Sequence, residues 1–415
     1  MPADRRDRDM RRATWVLWVV VGLVVCILVA RSPEKNTVTL NFRTAAQSWW
    51  AGENLYPSGV AGFLYFPQSA ILYTPFTWGP VVIGELLWRV VCLALFTTGL
   101  WRIVRLLAEP WPRLDARSAG AHAIDASPSH GLWTLLRDAR TSPGLAFLVA
   151  SLCCLPLAAS NLRNGQFNLP LAALMLHAAA DLALGRWWRA VLWLCLMTAL
   201  KPLGLVMVLL AAVIYPRTSW RLAIGLLAVA ALPLLHRHPG YAMEMYRASM
   251  QTLESASKVE LGHGQDLRGI LAAMNIEVPL IVLTAVRLAA APLMLAMAWL
   301  AKRRWGEPAG ALYMLAATAI YLTLFNPRCE GLTYAVLSPA IGAFLITATP
   351  PARGRWAMGL LTAVAVVVAV SQVFTGGPNS WMRPTAGLVL LGLIVAWLVR
   401  GIRAAGLPRT NAALR

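Results

Sequence analysis

The stretch GRWWRAVLWLCLMTALKPLGLVMVLL, residues 185–210, decides how the chain folds, because it is strongly apolar yet interrupted by Lys201 and Pro202. The apolar runs on either side, 188–200 and 203–215, would each form a helix about 20 Å long at 1.5 Å per residue. A bilayer core is about 30 Å thick. The stretch is therefore either one long span broken at Lys201-Pro202 or a hairpin of two short helices.

The rest of the 415-residue chain is also apolar, with 58% hydrophobic and only 13% charged residues. A typical soluble domain has about 25% charged residues. Apolar runs near the length of a membrane helix recur along the chain and lack the alternation of barrel strands. The sequence predicts an all-α polytopic membrane protein with about twelve transmembrane helices, two of them short. The predicted spans are 14–30, 80–101, 143–159, 166–184, 188–200, 203–215, 220–235, 278–301, 309–325, 332–347, 357–374 and 384–400.

The net charge of +19 would suggest a nucleic-acid partner in a soluble protein, but arginines in short loops also fix the orientation of membrane helices. The hairpin places most of the 37 Lys and Arg residues in cytoplasmic segments, whereas a single crossing would make the KRRW and RGRW motifs external. The charge pattern therefore favours the hairpin, with both termini cytoplasmic and no nucleic-acid partner. It predicts one membrane domain, 14–400, with a basic tail at 1–13, a cytoplasmic loop at about 102–142 and a tail at 401–415.

Two external loops remain, about 31–79 and 236–277, and their mixed composition predicts helices that lie in the membrane interface. External turns also collect ionisable groups, which cost free energy at a membrane boundary and usually have a function. Lys201 either snorkels from a helix end or is the counter-charge for a phosphate. In NPRCEGLTY, Arg328 and Glu330 either form an ion pair that stabilises a turn, or Arg328 binds phosphate while Glu330 contacts a sugar. NGQFN, residues 164–168, either caps a helix or recognises hydroxyls.

Metal or disulfide chemistry is not predicted. Neither the six cysteines nor the histidines show zinc-type spacing, and His236 and His238 lack a third ligand at metal spacing. His263 belongs to the external polar set but to no metal pattern. We therefore expect no cofactor and no divalent metal.

In order and spacing, several motifs resemble glycosyltransferase family 87, which includes polyprenyl-phosphate-mannose-dependent α-mannosyltransferases. They run from about residue 40 to 340 and are AAQSWWAGENLY, FLYFPQSAILYTPF, NGQFNLPLAALML, residues 185–210, GQDLRGIL and NPRCEGLTYAVLSPAI. The resemblance implies a C-type glycosyltransferase fold, a bundle of many helices with catalytic loops on the external face of the plasma (inner) membrane. It implies transfer of a hexose, expected to be mannose, from a polyprenyl-phosphate donor to a lipid or glycan acceptor. The alternative is a transporter, a flippase or a non-catalytic binder of a lipid-linked saccharide.

One position departs from the family pattern. Family members usually carry a general-base aspartate at the head of the first external loop, where this chain has Asn41, and an amide takes no proton at neutral pH. Either another carboxylate serves (Asp266, Glu330 or Glu53), or Asn41 only positions the acceptor, or the protein binds a lipid-linked sugar without transferring it. The predicted substrate-binding residues are Arg43, Tyr65, Asn164, Gln166, Lys201, Arg268, Arg328 and Tyr334.

Overall fold

The computed structural model describes residues 3–108, 136, 138–258, 264–347, 355–374 and 381–406, and all regular structure in these residues is helical. The helices of the bundle are α1 (Ala3–Arg31), α4 (Val81–Ala108), α5 (Pro143–Asn164), α6 (Asn168–Ala183), α7 (Trp187–Leu200), α8 (Leu205–Ile214), α9 (Pro216–Ala231), α12 (Leu280–Trp305), α13 (Glu307–Ile320), α14 (Ser338–Thr347), α15 (Arg355–Phe374) and α16 (Met382–Gly406). The helices of the two predicted external loops are α2 (Thr39–Ala51), α3 (Pro67–Tyr73), α10 (Pro239–Lys258) and α11 (Leu267–Ala273).

Length and hydropathy divide the bundle helices into two groups. Within the described ranges, 7 helices are long and apolar enough to cross a membrane, and five further apolar helices have 10–17 residues. The class of multi-pass helical membrane protein is therefore confirmed. The predicted number of twelve crossings depends on the shorter helices crossing as well.

The segment around Lys201-Pro202 folds back on itself, as the hairpin interpretation predicts. The Trp187 ring at the start of α7 lies 6.1 Å from the Tyr215 ring just after α8. One straight helix over this stretch would separate these rings by about 42 Å at 1.5 Å per residue. Proline cannot continue a helix with a full set of hydrogen bonds, so Pro202 begins a short 3₁₀ turn, Pro202–Gly204, between α7 and α8.

Hydrogen bonds between distant segments define the two ends of the bundle. At the base end, the Asp7 carboxylate accepts from Ser142 Oγ at 2.6 Å, and Arg140 donates to the Thr347 carbonyl at 2.6 Å. At the head end, Val38 N donates to the Asn164 carbonyl at 3.0 Å. The arginine-bearing segments 185–190, 216–221 and 302–308 lie at the base end, together with the start of α1. Which end faces the cytoplasm stays a prediction.

The most deeply buried helices are α6, α13 and α14, whose residues are nearly all inaccessible. The outer helices α1, α9 and α12 instead expose aliphatic side chains, as with Leu227 at 69% and Leu288 at 68%. A helix that is apolar all round belongs in the interior of such a bundle, and an exposed apolar face suits lipid. The fold therefore has a central layer surrounded by helices that contact the membrane.

The head end carries helices in both predicted external loops. In α2, positions 41, 44, 47 and 50 are exposed, and the positions between them are mostly buried. This is the pattern of an amphipathic helix with one face exposed to solvent. Several boundaries differ from the sequence analysis, including two at predicted cytoplasmic segments. Helix α1 already begins at Ala3, inside the predicted basic tail, and α4 continues to Ala108, inside the predicted loop 102–142. Residues 109–135, His263 and 407–415 lie outside the described residues.

Candidate functional site

A chain of hydrogen bonds joins a cation to a carboxylate at the head end, and we call it the polar chain. Lys201 Nζ donates to Asn168 Oδ1 at 2.5 Å, and Asn168 Nδ2 donates to Gln166 Oε1 at 2.6 Å. Gln166 Nε2 in turn donates to Glu330 Oε2 at 3.3 Å. These residues come from three turns that are far apart in sequence. The predicted convergence of Lys201, Gln166 and Glu330 is therefore present in the fold.

Lys201 owes its position to the tip of the α7–α8 hairpin. Ser69 Oγ on α3 donates to the carbonyls of Ala199 at 2.8 Å and Leu200 at 3.1 Å, so the first head-end loop covers the last turn of α7. Burial lowers the pKa of Lys201 to about 8, and the nearby Glu330 carboxylate opposes this shift. The ammonium is thus a partly desolvated cation, which attracts an anion more strongly than a fully hydrated one does.

A cluster of aromatic side chains packs beside the polar chain. Phe167, between Gln166 and Asn168, stacks on Phe42 with ring centroids 4.1 Å apart, and the Tyr65 ring lies 4.9 Å from Phe167. Burial raises the pKa of Tyr65, and the nearby Glu330 carboxylate raises it further. Because Phe42 follows Asn41 directly, this stacking places the first turn of α2 next to the polar chain.

The turn 326–330 presents Glu330 to the outside of the bundle. Glu330 is exposed, and its carboxylate accepts from the backbone N–H of Thr333 while Thr333 Oγ1 accepts from Glu330 N at 3.3 Å. This reciprocal capping fixes the carboxylate at the start of the 3₁₀ helix Gly331–Val336. Arg328 donates to the Ala256 carbonyl at 3.3 Å and forms no ion pair with Glu330. The ion-pair interpretation of this turn is therefore wrong.

Asp266 and Arg268 hold the short helix α11 against the turn 326–330. Asp266 is 1% exposed, and its carboxylate accepts from Arg268 N at 3.1 Å and lies 3.6 Å from Arg287 Nη2. Arg268 Nη2 donates to the Pro327 carbonyl at 2.5 Å. Burial raises the pKa of Asp266, whereas Arg268 and Arg287 lower it. Both side chains are engaged with the protein, so Asp266 has no free face for an acceptor.

Tyr334 joins the same region from the inside. It is fully buried, and its hydroxyl donates to the Gln265 carbonyl at 3.0 Å. Gln265 N donates to the Cys329 carbonyl at 3.1 Å, and Gln265 Oε1 accepts from Arg383 Nη1 at 3.1 Å. Tyr334 therefore fixes the segment 264–268 beside the turn 326–330, where a bound ligand would not reach its hydroxyl.

Two predicted residues on or near α2 lie apart from the polar chain. Arg43 is 8% exposed and donates to the carbonyls of Phe76 at 3.1 Å and Thr77 at 3.4 Å, so it closes the turn after α3. Glu53 lies beyond the far end of α2, about 18 Å from Asn41 at the helical rise, where it accepts from Ser48 Oγ. The structure does not bring either of them to Lys201.

Two predicted amides have free side-chain atoms. Asn41 is exposed, and its side chain makes no hydrogen bond within the described part of the chain. The Asn164 carbonyl accepts from Val38 N and, at 3.1 Å, from Thr37 Oγ1, while its side-chain oxygen is buried without a partner among the described residues. Asn164 therefore anchors α2 through its backbone, and Asn41 remains accessible.

The sequence analysis included Asn168 only as part of the NGQFN motif, and it missed a buried ion pair on α4. Arg89 and Glu85 are 2% and 1% exposed and joined at 2.5 Å. Arg89 Nε donates to the Leu162 carbonyl at 3.0 Å, and Thr39 Oγ1 donates to Glu85 at 2.7 Å. The pair thus ties the end of α5 and the start of α2 to α4. Charges four residues apart inside an apolar run were the available signal, because such groups are rarely unpaired in a membrane helix.

No group of three or more His, Cys, Asp or Glu side chains is arranged to hold a metal ion in the ranges that the structure describes. The metal independence of the reaction stays a prediction, because it concerns chemistry with a bound substrate.

Together, the fold and site are those of an integral membrane protein with a cluster of polar and charged side chains at one end of an apolar bundle. The sequence model of glycosyltransferase family 87 matches residues 63–327, which is most of the chain, and the protein belongs to this family. No curated protein and no solved structure matched the chain. Family membership implies a membrane glycosyltransferase, which uses a sugar donor and an acceptor in a lipid bilayer.

Proposed function

We propose that the protein transfers a hexose, expected to be mannose, from a polyprenyl-phosphate donor to a hydroxyl of a lipid or glycan acceptor. We place the reaction at the head end and on the external face of the plasma (inner) membrane. The observation that carries the proposal is the polar chain, because it links a partly desolvated cation to an accessible carboxylate through two amide side chains. Glycosyl transfer from a lipid phosphate needs these two groups, one for the leaving group and one for the acceptor.

Lys201 and Arg328 bind the donor phosphate in this scheme. Neither forms an ion pair with a carboxylate in the described structure, so both are able to take an anion. Charge-assisted hydrogen bonds from such cations to phosphate oxygens strengthen as charge develops on the leaving group. Polyprenyl phosphate is a stable leaving group when its oxygens are bound in this way, so the scheme requires no divalent metal.

Glu330 is the general base. Of the three candidate carboxylates, Asp266 is enclosed by two arginines and Glu53 lies at the wrong end of α2, whereas Glu330 is exposed and fixed by its cap. Its carboxylate takes the proton of the acceptor hydroxyl while that oxygen bonds to the anomeric carbon. The bond from this carbon to the phosphate oxygen breaks, and its electron pair leaves with polyprenyl phosphate, which inverts the configuration. Asn41 positions the acceptor by hydrogen bonding and takes no proton.

The same proposal includes the topology. Successive bundle helices run alternately between the base end and the head end, from α1 through α4, α5, α6, α7 and α8 to α9. If the five shorter apolar helices also cross, the bundle has twelve crossings and both termini are cytoplasmic. The base-end basic residues Arg186, Arg217 and Lys302 support this orientation through the positive-inside rule.

Reconstitution tests the activity. The purified protein in vesicles is given polyprenyl-phosphate-mannose and extracted envelope lipids, and glycosylated products are identified by mass spectrometry. We expect transfer by the natural protein and a loss of kcat of about 10²–10⁴-fold in Glu330→Gln, as for removal of a general base. Glu277→Gln is the control, since Glu277 is exposed and has no hydrogen-bond partner among the described side chains.

Two results would refute the proposal. Movement of a labelled lipid-linked saccharide across the bilayer, without any transfer, would identify a transporter or flippase. Tight binding of the donor with neither transfer nor movement would identify a non-catalytic binder.

A further inference from the structure

Arg383, in the first turn of α16, is a buried cation for which the described residues provide no counter-charge. Its side chain is 1% exposed. Arg383 Nε donates to Ser371 Oγ at 2.9 Å and Nη1 to Gln265 Oε1 at 3.1 Å. Its Nη2 has no hydrogen-bond partner, and the guanidinium forms no ion pair, in the described part of the chain. Both neighbours of the guanidinium are neutral, so its charge is uncompensated.

A comparison with Arg89, which is buried to a similar degree, shows what is missing. Arg89 is 2% exposed, and Glu85 neutralises it. A buried charge without a partner is strongly unfavourable and is generally paired, neutralised or bound to an ion. The carboxylates of the neighbouring segments are already engaged, Asp266 with Arg268 and Arg287, and Glu330 with Gln166 and Thr333. No carboxylate of the described residues is left for Arg383, so we look for its partner in an external anion.

The guanidinium lies against the turn that carries Arg328 and Glu330. Its central carbon is 5.9 Å from the Tyr334 ring centre. A Cβ on Gly331 would lie 2.3 Å from Arg383 Nη1, so the absence of a side chain at Gly331 allows this close approach. Hydrogen bonds through Asn168 and Gln166 link Lys201 to Glu330 in the same turn. Arg383 and Lys201 are therefore both connected to this turn.

We propose that Arg383 Nη2 binds an oxygen of a phosphate group, and that this phosphate is the one on the polyprenyl carrier, held between Arg383 and Lys201. A guanidinium with one free N–H edge suits a phosphate oxygen, and a carrier phosphate supplies the missing negative charge. The assignment of the carrier rests on the proposed function. The need for an anion rests on the burial of Arg383 alone.

Binding to the full-length protein in lipid nanodiscs tests the inference. Thermal unfolding is followed with added polyprenyl monophosphate, uncharged polyprenol or inorganic phosphate. We expect polyprenyl monophosphate to raise Tm and polyprenol to leave it unchanged. In Arg383→Met the shift disappears, and Kd for polyprenyl monophosphate rises at least tenfold. A Tm shift with inorganic phosphate but not with the lipid phosphate would overturn the assignment to the carrier.

Arg89→Met is the matched control, because it also removes a buried arginine but leaves a carboxylate unpaired. We expect Arg89→Met to lower the Tm of the ligand-free protein while the shift with polyprenyl monophosphate persists. Arg383→Met should keep or raise the ligand-free Tm, since it removes an unpaired charge. A shift that persists in Arg383→Met overturns the inference. Should this variant fail to fold, Arg383→Gln decides the same question, because its amide nitrogen takes the position of Arg383 Nε and can still donate to Ser371 Oγ.

Failure of the inference is distinguishable from failure of the proposed function. If the natural protein transfers sugar and Arg383→Met leaves the KM for the donor unchanged, the inference alone is wrong. If polyprenyl monophosphate binds through Arg383 but no sugar is transferred to any acceptor, the proposed function is wrong and the phosphate site stands.

Discussion

The buried pair Glu85–Arg89 offers a quantitative test of how the site is supported. Removing one partner of a buried pair costs about 3–5 kcal/mol, because the other charge is left uncompensated. We expect this loss of unfolding free energy in Glu85→Leu and, separately, in Arg89→Met.

The double variant Glu85→Leu/Arg89→Met should lose less than the sum of the two single variants. It leaves no unpaired charge, but it forfeits the hydrogen bonds of Arg89 to the Leu162 carbonyl at 3.0 Å and to Thr37 Oγ1 at 2.9 Å. At about 1–2 kcal/mol for each such bond, the double variant should lose about 2–4 kcal/mol. The coupling energy of the cycle is then at least about 2 kcal/mol.

The measurement is equilibrium unfolding of the purified variants in mixed micelles, followed by circular dichroism. Additivity of the single variants within about 0.5 kcal/mol would refute the ion-pair reasoning, because independent sites behave in that way. The pair also anchors Thr37 and Thr39 at the start of α2. The single variants should therefore lose transferase activity at temperatures where they remain folded, and Thr39→Val should show a weaker form of the same loss.

Three further predictions concern individual residues. The affinity for polyprenyl monophosphate should fall as pH rises through about 8, where Lys201 loses its proton. In Lys201→Arg the affinity should stay constant to higher pH. Isothermal titration calorimetry at several pH values measures both. Because the folded-state pKa of Lys201 is lowered, the unfolded chain binds more protons from about pH 8 upward, and the ligand-free protein should gain stability across this range. Asp266→Asn should lower the free energy of unfolding by about 3 kcal/mol, because it leaves Arg268 and Arg287 unpaired. Its effect on kcat should be smaller than that of Glu330→Gln. Unfolding measurements give the first effect and steady-state kinetics the second. Gly165→Ala should cost about 2–4 kcal/mol, since Gly165 has φ +74° and an added Cβ would lie 2.5 Å from Thr39 Cγ2; a normal Tm would contradict this.

Much of the fold was predictable because the bilayer limits the possible structures. Backbone groups in lipid must be paired within the segment, so apolar length alone indicates helices. The hairpin at Lys201-Pro202 was predictable as well, because its two apolar runs are short and the arginines around them favour one orientation. Exact boundaries were less accessible. Helix α1 extends through Asp4 and Arg5 into its charged flank, since charged residues outside the hydrocarbon do not end a helix.

The sequence indicated which polar residues belong to the site, but not which of them are bound by other parts of the protein. Lys201, Gln166 and Glu330 were identified from polar residues at membrane boundaries, and they do meet. Arg43 and Asp266 are also polar residues at membrane boundaries, but both are engaged within the protein. Arg43 binds backbone carbonyls after α3, and Asp266 pairs with Arg268 and Arg287. Such partners depend on tertiary packing, which the sequence does not show. The unpaired state of Arg383 was equally hidden, because it depends on which carboxylates other segments have already engaged.

The short hairpin has a consequence for where the reaction takes place in the membrane. Helices α7 and α8 have 14 and 10 residues and rise about 21 and 15 Å, which is well short of a hydrocarbon layer about 30 Å thick. If both short helices start at the base-end interface, as the proposed topology has it, the tip with Lys201 stays below the level of the opposite headgroups unless the bilayer thins there. In the proposed reaction a lipid carrier would then reach Lys201 laterally, with its tail still in the membrane. Membranes of different thickness should therefore change the turnover rate of an otherwise identical protein.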